Sequence, residues 1–290
     1  MATKAAASLI VTAPRAALKG RAASQQKSAF DYGVLMVRRR TGGSFGSALV
    51  FPGGIVEPQD QLCPNPASAC AVRETFEETG LLLADASILN ANDKVDPVRL
   101  QAVAQSCPLL GTQALARWVT PRAQKKRFDT WFMLLNLPDR SLLLDRLQKE
   151  RLQVSEVVEL DWFAPDQLLL ANRRAQMPLY PPQLYVLLEL ARFPKHADLC
   201  KAASQLSRNP DYAAVEPVLV PRGDGKVVAL LPGDCAYSPT EPQVPEQYLY
   251  GDKLPSKPLH RLEMSPAAKG GFVDARLFRT GTPKPLSSHL

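Results

Sequence analysis

Between Phe51 and Gly80 the chain sets out a glycine loop, a helix start, a knot of charge and a helix stop, in that order. In Phe51-Pro52-Gly53-Gly54, Pro52 fixes one φ angle and the two glycines open backbone paths closed to other residues. Such a loop can turn a bare carbonyl or amide toward a ligand. Asn65-Pro66 reads as a helix N-cap followed by proline at the first helical position, and Gly80 as the residue that ends the helix. Within it lies Arg73-Glu74-Thr75-Phe76-Glu77-Glu78-Thr79. On a helix over 66–79, Glu74 and Glu78 are four apart, Glu74 and Glu77 three apart, and Arg73 and Glu77 four apart, so all share adjoining parts of one face. Like charges at such spacings cost a bare helix about 0.2–0.5 kcal/mol per pair. A hard divalent cation, which takes oxygen ligands, offsets that repulsion; the plainer alternative is a solvated charged face.

The rest of the chain reads as a mixture of strands and helices. Strands are expected at Ala7–Thr12, Val34–Arg39, Leu49–Val50, Leu81–Ala84, Ala116–Val119, Arg127–Leu135 and Val157–Phe163, the last three on alternation or on β-branched and aromatic content. Helices are expected at Pro66–Thr79, Pro97–Ser106, Leu142–Leu147, Pro165–Ala175 and Pro182–Phe193. Val215–Leu231 reads as a hairpin turning at Arg222-Gly-Asp-Gly-Lys226. A mixed sheet between helices gives an α+β fold, an α/β/α sandwich. With 290 residues and 46% apolar content the chain can bury a full core. Many of its 26 prolines fall after residue 209, where loops, hairpins and an extended tail are expected to pack on the core. The division expected is a catalytic domain over 6–195 and an extension over 196–290.

The pattern Gly-x5-acid, then Arg-Glu-x-x-Glu-Glu-x-Gly-apolar, resembles the signature of the Nudix hydrolases, enzymes that cleave nucleoside diphosphates linked to another moiety. Gly54 matches its first glycine, and Arg73, Glu74, Glu77, Glu78, Gly80 and Leu81 its second half; Thr75 departs mildly from an apolar position. Two departures are larger. Asp60 stands where the family has glutamate, and twelve residues, Gln61 to Val72, precede Arg73 where the family has seven. The box spans 54–81 and carries five extra residues. An interrupted box resembles the peroxisomal coenzyme A diphosphatase branch. So do Ala6–Thr12, Arg127–Phe132, Glu156–Phe163, Pro181–Tyr185 and Leu231–Asp234. The motif that other CoA-cleaving Nudix enzymes carry upstream of the box is only loosely echoed at Val34–Arg40.

The resemblance implies a Nudix fold with C-terminal helical and hairpin additions, and metal-dependent hydrolysis of the pyrophosphate of coenzyme A or acyl-CoA to 3′,5′-ADP and (acyl-)phosphopantetheine. It implies that Glu77 and Glu78 hold Mg²⁺ or Mn²⁺ with the Gly54 carbonyl. Glu74 is then a third ligand or the general base, and Arg73 positions these carboxylates by charge-assisted hydrogen bonds. A distal carboxylate often completes such sites, and Glu156 or Glu159 is the candidate. Asp60, at the position of the first box glutamate but displaced by the insertion, is a further candidate site residue whose role is left open. Alternatives are a pyrophosphatase for NADH or ADP-ribose, an RNA-cap hydrolase, and a non-catalytic Nudix-fold binding module; the last usually loses the box glutamates, all of which are present.

Charge and cysteines narrow the partners. A net charge of +7 attracts polyanions, yet basic residues do not interleave with aromatics and no nucleic-acid motif appears. Arg38-Arg39-Arg40 and Lys125-Lys126-Arg127 adjoin strand ends and are candidates to steer a phosphate-rich small molecule, CoA among them. Five cysteines without a C-x-x-C pair argue against a disulfide scaffold and a zinc site. His196, His260 and His289 read as surface residues rather than ligands. No run of 18 apolar residues offers a membrane span. Ser288-His289-Leu290 resembles a peroxisomal address read by the import receptor; the acid-free, Ala- and Ser-rich residues 1–30 suit a mitochondrial leader as the alternative.

Overall fold

The computed structural model describes residues 2–18, 27–39, 48–81, 111–137, 157–205, 214–240, 244–253, 256–268 and 270–280. Seven strands form the first sheet: β1 (Lys4–Pro14), β2 (Tyr32–Arg39), β3 (Leu49–Val50), β4 (Gly53–Ile55), β5 (Gln113–Val119), β6 (Phe128–Asn136) and β7 (Val157–Phe163). β1 is its spine. One edge runs parallel to β6 over its whole length, Lys4 opposite Phe128 and Thr12 opposite Asn136. The other edge is shared: Ala6–Ser8 pair antiparallel with β4, and Thr12–Pro14 pair antiparallel with β2. β2 carries β7 and β3, and β5 closes the far side against β6.

The two-residue period of the strands sorts the core into two layers. Ala7, Leu9, Val11, Leu35, Met133 and Leu135 point to one side and pack with Cys70, Ala71 and Val72 of α1 (Pro66–Thr79). Ile10, Val34, Met36, Phe132 and Leu134 point to the other, against Leu184, Leu187 and Leu190 of α3 (Pro181–Leu190) and Leu168 of α2 (Pro165–Arg173). A mixed sheet between helices is the α+β arrangement expected. α1 begins and ends on its sequence signals: the Asn65 side chain accepts from Ser68 N at 3.0 Å, and Gly80 takes the left-handed conformation. The Thr75 hydroxyl, at a position the family fills with an apolar residue, is satisfied inside the helix by the Ala71 carbonyl at 2.6 Å.

Several expectations are corrected or left open. α4 (His196–Ser204) was not expected, and His196 is buried there, with Nε2 3.0 Å from Thr12 Oγ1. His260 is also drawn inward, bonded to Tyr185 and the Pro232 carbonyl. Neither is a surface histidine. Leu81 leaves α1 without forming a strand, while 82–84 and the helices expected at Pro97–Ser106 and Leu142–Leu147 lie outside the described residues. Beyond α4 the hairpin β8 (Val218–Pro221)–β9 (Val227–Leu230) appears as expected, but it belongs to a four-stranded antiparallel sheet with β10 (His260–Pro266) and β11 (Phe272–Arg279). Leu262 and Met264 of β10 join the cluster around α3.

β10 lies outside the strands expected from sequence, although Arg261-Leu262-Glu263-Met264 alternates polar and apolar residues, and both of its faces are buried. Arg261 is fully buried and forms a two-pronged ion pair with buried Asp234, at 2.6 and 2.7 Å. Glu263, on the same strand, is buried against Arg222 at 2.7 Å. Removing one partner of such a pair leaves a charge without compensation. Arg261→Ala is therefore expected to destabilise the protein by about 3–5 kcal/mol in urea denaturation.

Candidate active site

The site forms where β4 lies between the start of β1 and helix α1. Gly53 pairs with Ser8 and Gly54 with Ala7, and Leu9 N donates to the Pro52 carbonyl at 2.9 Å. No side chain fits on either glycine. A Cβ on Gly53 would strike the Ala7 carbonyl in the neighbouring strand, and one on Gly54 would fall on the Glu74 carboxylate. The glycine pair thus lets the acidic helix approach the sheet to backbone contact. Glu78, also buried, accepts from Gly53 N at 3.1 Å. The Gly54 carbonyl receives a weak bond from the Cys70 thiol at 3.6 Å.

Arg73 organises the acids. It is buried, and the described bonds engage all three of its guanidinium nitrogens. Nε and Nη2 hold the two oxygens of Asp60 at 3.1 and 2.9 Å. Nη1 reaches Glu74 at 3.0 Å and Glu77 at 3.2 Å, and Nη2 also donates to the Ile55 carbonyl at 3.0 Å. A guanidinium presents five N–H donors in a fixed fork, and five oxygen contacts meet them. Burial opposes the charge on Arg73, but the hydrogen bonds to Asp60 and the charge of Glu74 outweigh it and hold the guanidinium well above its ordinary range. Burial raises the Glu77 carboxyl above the usual value; Arg73 counters this in part, while Glu57 and Asp60 add to the rise.

Asp60 is not detached by the insertion. It sits in a short 3-10 turn (Asp60–Leu62), buried, and accepts from Glu57 N at 2.8 Å as well as from Arg73. The extra residues are taken up by that turn and the start of α1, and the acid still meets the arginine thirteen positions later. With both oxygens occupied, Asp60 holds Arg73 in place. Glu57 is an exposed acid beside the cluster whose backbone N–H fixes Asp60 and which carries no signal of its own in sequence. It lies three positions before Asp60 in the loop, near enough to Glu77 to raise its carboxyl, but outside the box positions that drew attention. Glu159 does not join this cluster through any described contact: it pairs with Arg38 across β2 and β7 at 2.6 Å and is half exposed. Glu156 and the tripeptide Ser288-His289-Leu290 lie outside the described residues.

The donor chemistry fits a hard divalent cation: Glu74, Glu77 and Glu78 present carboxylate oxygens on one helix, the first of them pressed against the Gly54 backbone. Among the described residues, no three His, Cys, Asp or Glu side chains are drawn together closely enough to hold an ion as they stand. Glu74 and Glu77 turn toward Arg73. Also among the described residues, no helix is long and apolar enough to cross a membrane.

Residues 23–183 match the family model described as the NUDIX domain. Over 244 residues the chain is 28% identical to "Putative nudix hydrolase 7" of Caenorhabditis elegans, covering 79% of each protein. It is 24% identical over 295 residues to "Acyl-coenzyme A diphosphatase NUDT19" of Xenopus laevis, covering 76% of this chain and 75% of that one. The crystal structure of a NUDIX hydrolase from Alicyclobacillus acidocaldarius superposes with a TM-score of 0.51 at 26% identity, over 72% of this chain and 99% of that one.

Two substitutions separate support from chemistry. Asp60→Ala removes two of the five oxygen contacts of the buried Arg73, leaving Glu74, Glu77 and the Ile55 carbonyl, and is expected to cost about 1–3 kcal/mol in chemical denaturation. Gly53→Ala, which meets the backbone of β1 rather than a movable side chain, is expected to lower stability by about 1–3 kcal/mol in the same assay.

Proposed function

The chain belongs to the Nudix hydrolase family, and from that premise we propose that it hydrolyses the pyrophosphate bond of coenzyme A and acyl-CoA esters, releasing 3′,5′-ADP and (acyl-)4′-phosphopantetheine. The observation that carries the chemistry is the Arg73-centred cluster of carboxylates held against the Gly53-Gly54 backbone. The choice of substrate is supported by relatives named acyl-coenzyme A diphosphatase that align over about three quarters of the chain.

In this reading Glu74, Glu77 and Glu78 hold Mg²⁺ or Mn²⁺, with the Gly54 carbonyl as backbone donor once the weak thiol bond of Cys70 is released. The cation supplies charge neutralisation for the pyrophosphate and acidifies water. Arg73 keeps the carboxylates from splaying and carries no phosphate, since its donors are committed to Asp60, Glu74, Glu77 and Ile55. Glu74 is the third ligand or the base that takes a proton from the attacking water; a base must stand within hydrogen-bond reach of that water. The P–O–P bridge gains one water across it, giving two phosphomonoesters. A peroxisomal setting, with Ser288-His289-Leu290 as the address, remains part of this proposal.

The direct test is a substrate screen with Mg²⁺ or Mn²⁺ that reads out 3′,5′-ADP from CoA and acyl-CoA alongside products from NADH, ADP-ribose and capped RNA. CoA turnover well above the rest is expected; preference for any of the others overturns the substrate assignment. Glu77→Gln and Glu78→Gln are each expected to lower metal-dependent turnover by more than about tenfold, as removal of a ligand that stabilises charge in the transition state does. Retention within tenfold would remove that residue from the ligand set.

A further inference from the structure

The turn between β5 and β6 and the residue after Val215 form an open groove of about 580 Å³, lined by Arg122, Ala123, Gln124, Lys125, Arg127 and Glu216. That is the size of a small-ligand site. Its place follows from the sheet order. β5 is the far edge of the first sheet, and Val215 pairs on its outer side, where Val119 N donates to the Val215 carbonyl at 2.9 Å. Gly54 lies on β4, across both β6 and β1 from there. The groove therefore opens away from the acidic corner, and what it holds is a ligand of its own.

Both walls are fixed. On one, Thr120 N donates to the Phe128 carbonyl at 2.9 Å and Gln124 N to the Pro121 carbonyl at 3.0 Å, which closes the turn. On the other, the Tyr237 hydroxyl donates to the Glu216 carbonyl at 2.9 Å. Arg127 stands between them, largely buried: its Nε donates to the Thr120 carbonyl at 2.9 Å and its Nη2 to the Glu216 carboxylate at 2.5 Å. Arg122, mostly exposed, reaches the same carboxylate through Nε at 3.2 Å. These bonds leave Arg127 Nη1 and both amino groups of Arg122 uncommitted among the described residues, and Lys125 adds an ammonium on the exposed turn. Three cations against one carboxylate leave a surplus of about two positive charges. The nearest acid along β6, Asp129, is already held by Arg117 at 2.8 and 2.7 Å.

We propose that this groove is an anion site for the phosphate group of a ligand other than the one cleaved at the acidic corner. It stands apart from the coenzyme A reading. A phosphomonoester carries nearly two negative charges and three acceptor oxygens, which match the surplus charge and the uncommitted donors. Recognition is by charge-assisted hydrogen bonds from Arg122, Lys125 and Arg127, the two guanidinium groups supplying planar forks. A dissolved phosphomonoester and a phosphatidic acid headgroup present the same dianion to the turn, whose residues 122–126 are all exposed.

The test is calorimetric titration of the full chain with inorganic phosphate in the presence of a chelator. Without metal the acidic corner gathers Asp60, Glu74, Glu77 and Glu78 about one guanidinium and repels anions, so saturable binding reports the groove. One phosphate per chain is expected, with a Kd of about 1 mM or tighter. Arg122→Ala/Lys125→Ala is expected to weaken it at least about tenfold and Lys125→Arg to keep it within about threefold, both with the KM for CoA unchanged within about twofold. No saturable heat, binding untouched by the double substitution, or equal displacement by chloride at the same ionic strength overturns the site. A tenfold rise in KM in the double variant also overturns it, since the groove then serves the cleaved substrate. Phosphate binding in a protein that leaves CoA intact upholds the site and sinks only the substrate reading. Sedimentation with phosphatidylcholine vesicles, with and without phosphatidic acid, separates the sources. Retention abolished by the double substitution assigns the lipid headgroup; no retention assigns the dissolved phosphomonoester. A single-stranded oligonucleotide bound more tightly with each added phosphate overturns the one-phosphate site.

Discussion

A single buried guanidinium holds the acidic corner of this fold together. Arg73 is surrounded by Asp60, Glu74, Glu77 and the Ile55 carbonyl, and each of these comes from a segment with other reasons to move away. Asp60 belongs to a loop interrupted by extra residues; Glu74 and Glu77 repel each other on one helix face. Without the arginine, three or four carboxylates would meet next to the sheet with nothing to neutralise them, and burial makes such a cluster costly. With it, the helix can pack Cys70, Ala71 and Val72 on β1 while its acids remain beside the glycine loop.

The glycine pair and the divided edge of β1 are the second half of this constraint. Because β1 gives its first half to β4 and its last residues to β2, Gly53 and Gly54 are fixed in register at the end of the sheet that faces α1. Their missing side chains admit Glu74 and Glu78 to the backbone itself. The same register carries through Ala7 to Trp131 and on to the basic turn before β6.

Much of this was legible in local signals. Asn65-Pro66 and Gly80 delimit α1, the Gly-Gly loop marks a backbone path closed to other residues, and the family resemblance implies that the arginine organises the carboxylates. What stayed hidden is long-range. The bonds from Arg73 to Asp60 span an insertion, and spacing alone left Asp60 displaced and without a role. Glu57 acts through space on Glu77, with no mark of its own in sequence. Glu159 offered a carboxylate at a plausible place, but its neighbour across β2 claims it. In β10 the alternation Arg261-Leu262-Glu263-Met264 is present, but both of its faces are buried, because Asp234 and Arg222 from other segments pair with Arg261 and Glu263. His196 looked like a surface residue because Thr12, its partner, is distant in the chain.

The account depends most on the claim that the α1 carboxylates make a divalent-cation site. Titration with Mn²⁺, following the free ion by electron paramagnetic resonance, tests it without any assumption about substrate. Saturable binding by the unmodified protein, weakened by at least about tenfold in Glu78→Gln, is the predicted result. Binding that is absent in the unmodified protein, or unchanged by that substitution, would contradict it.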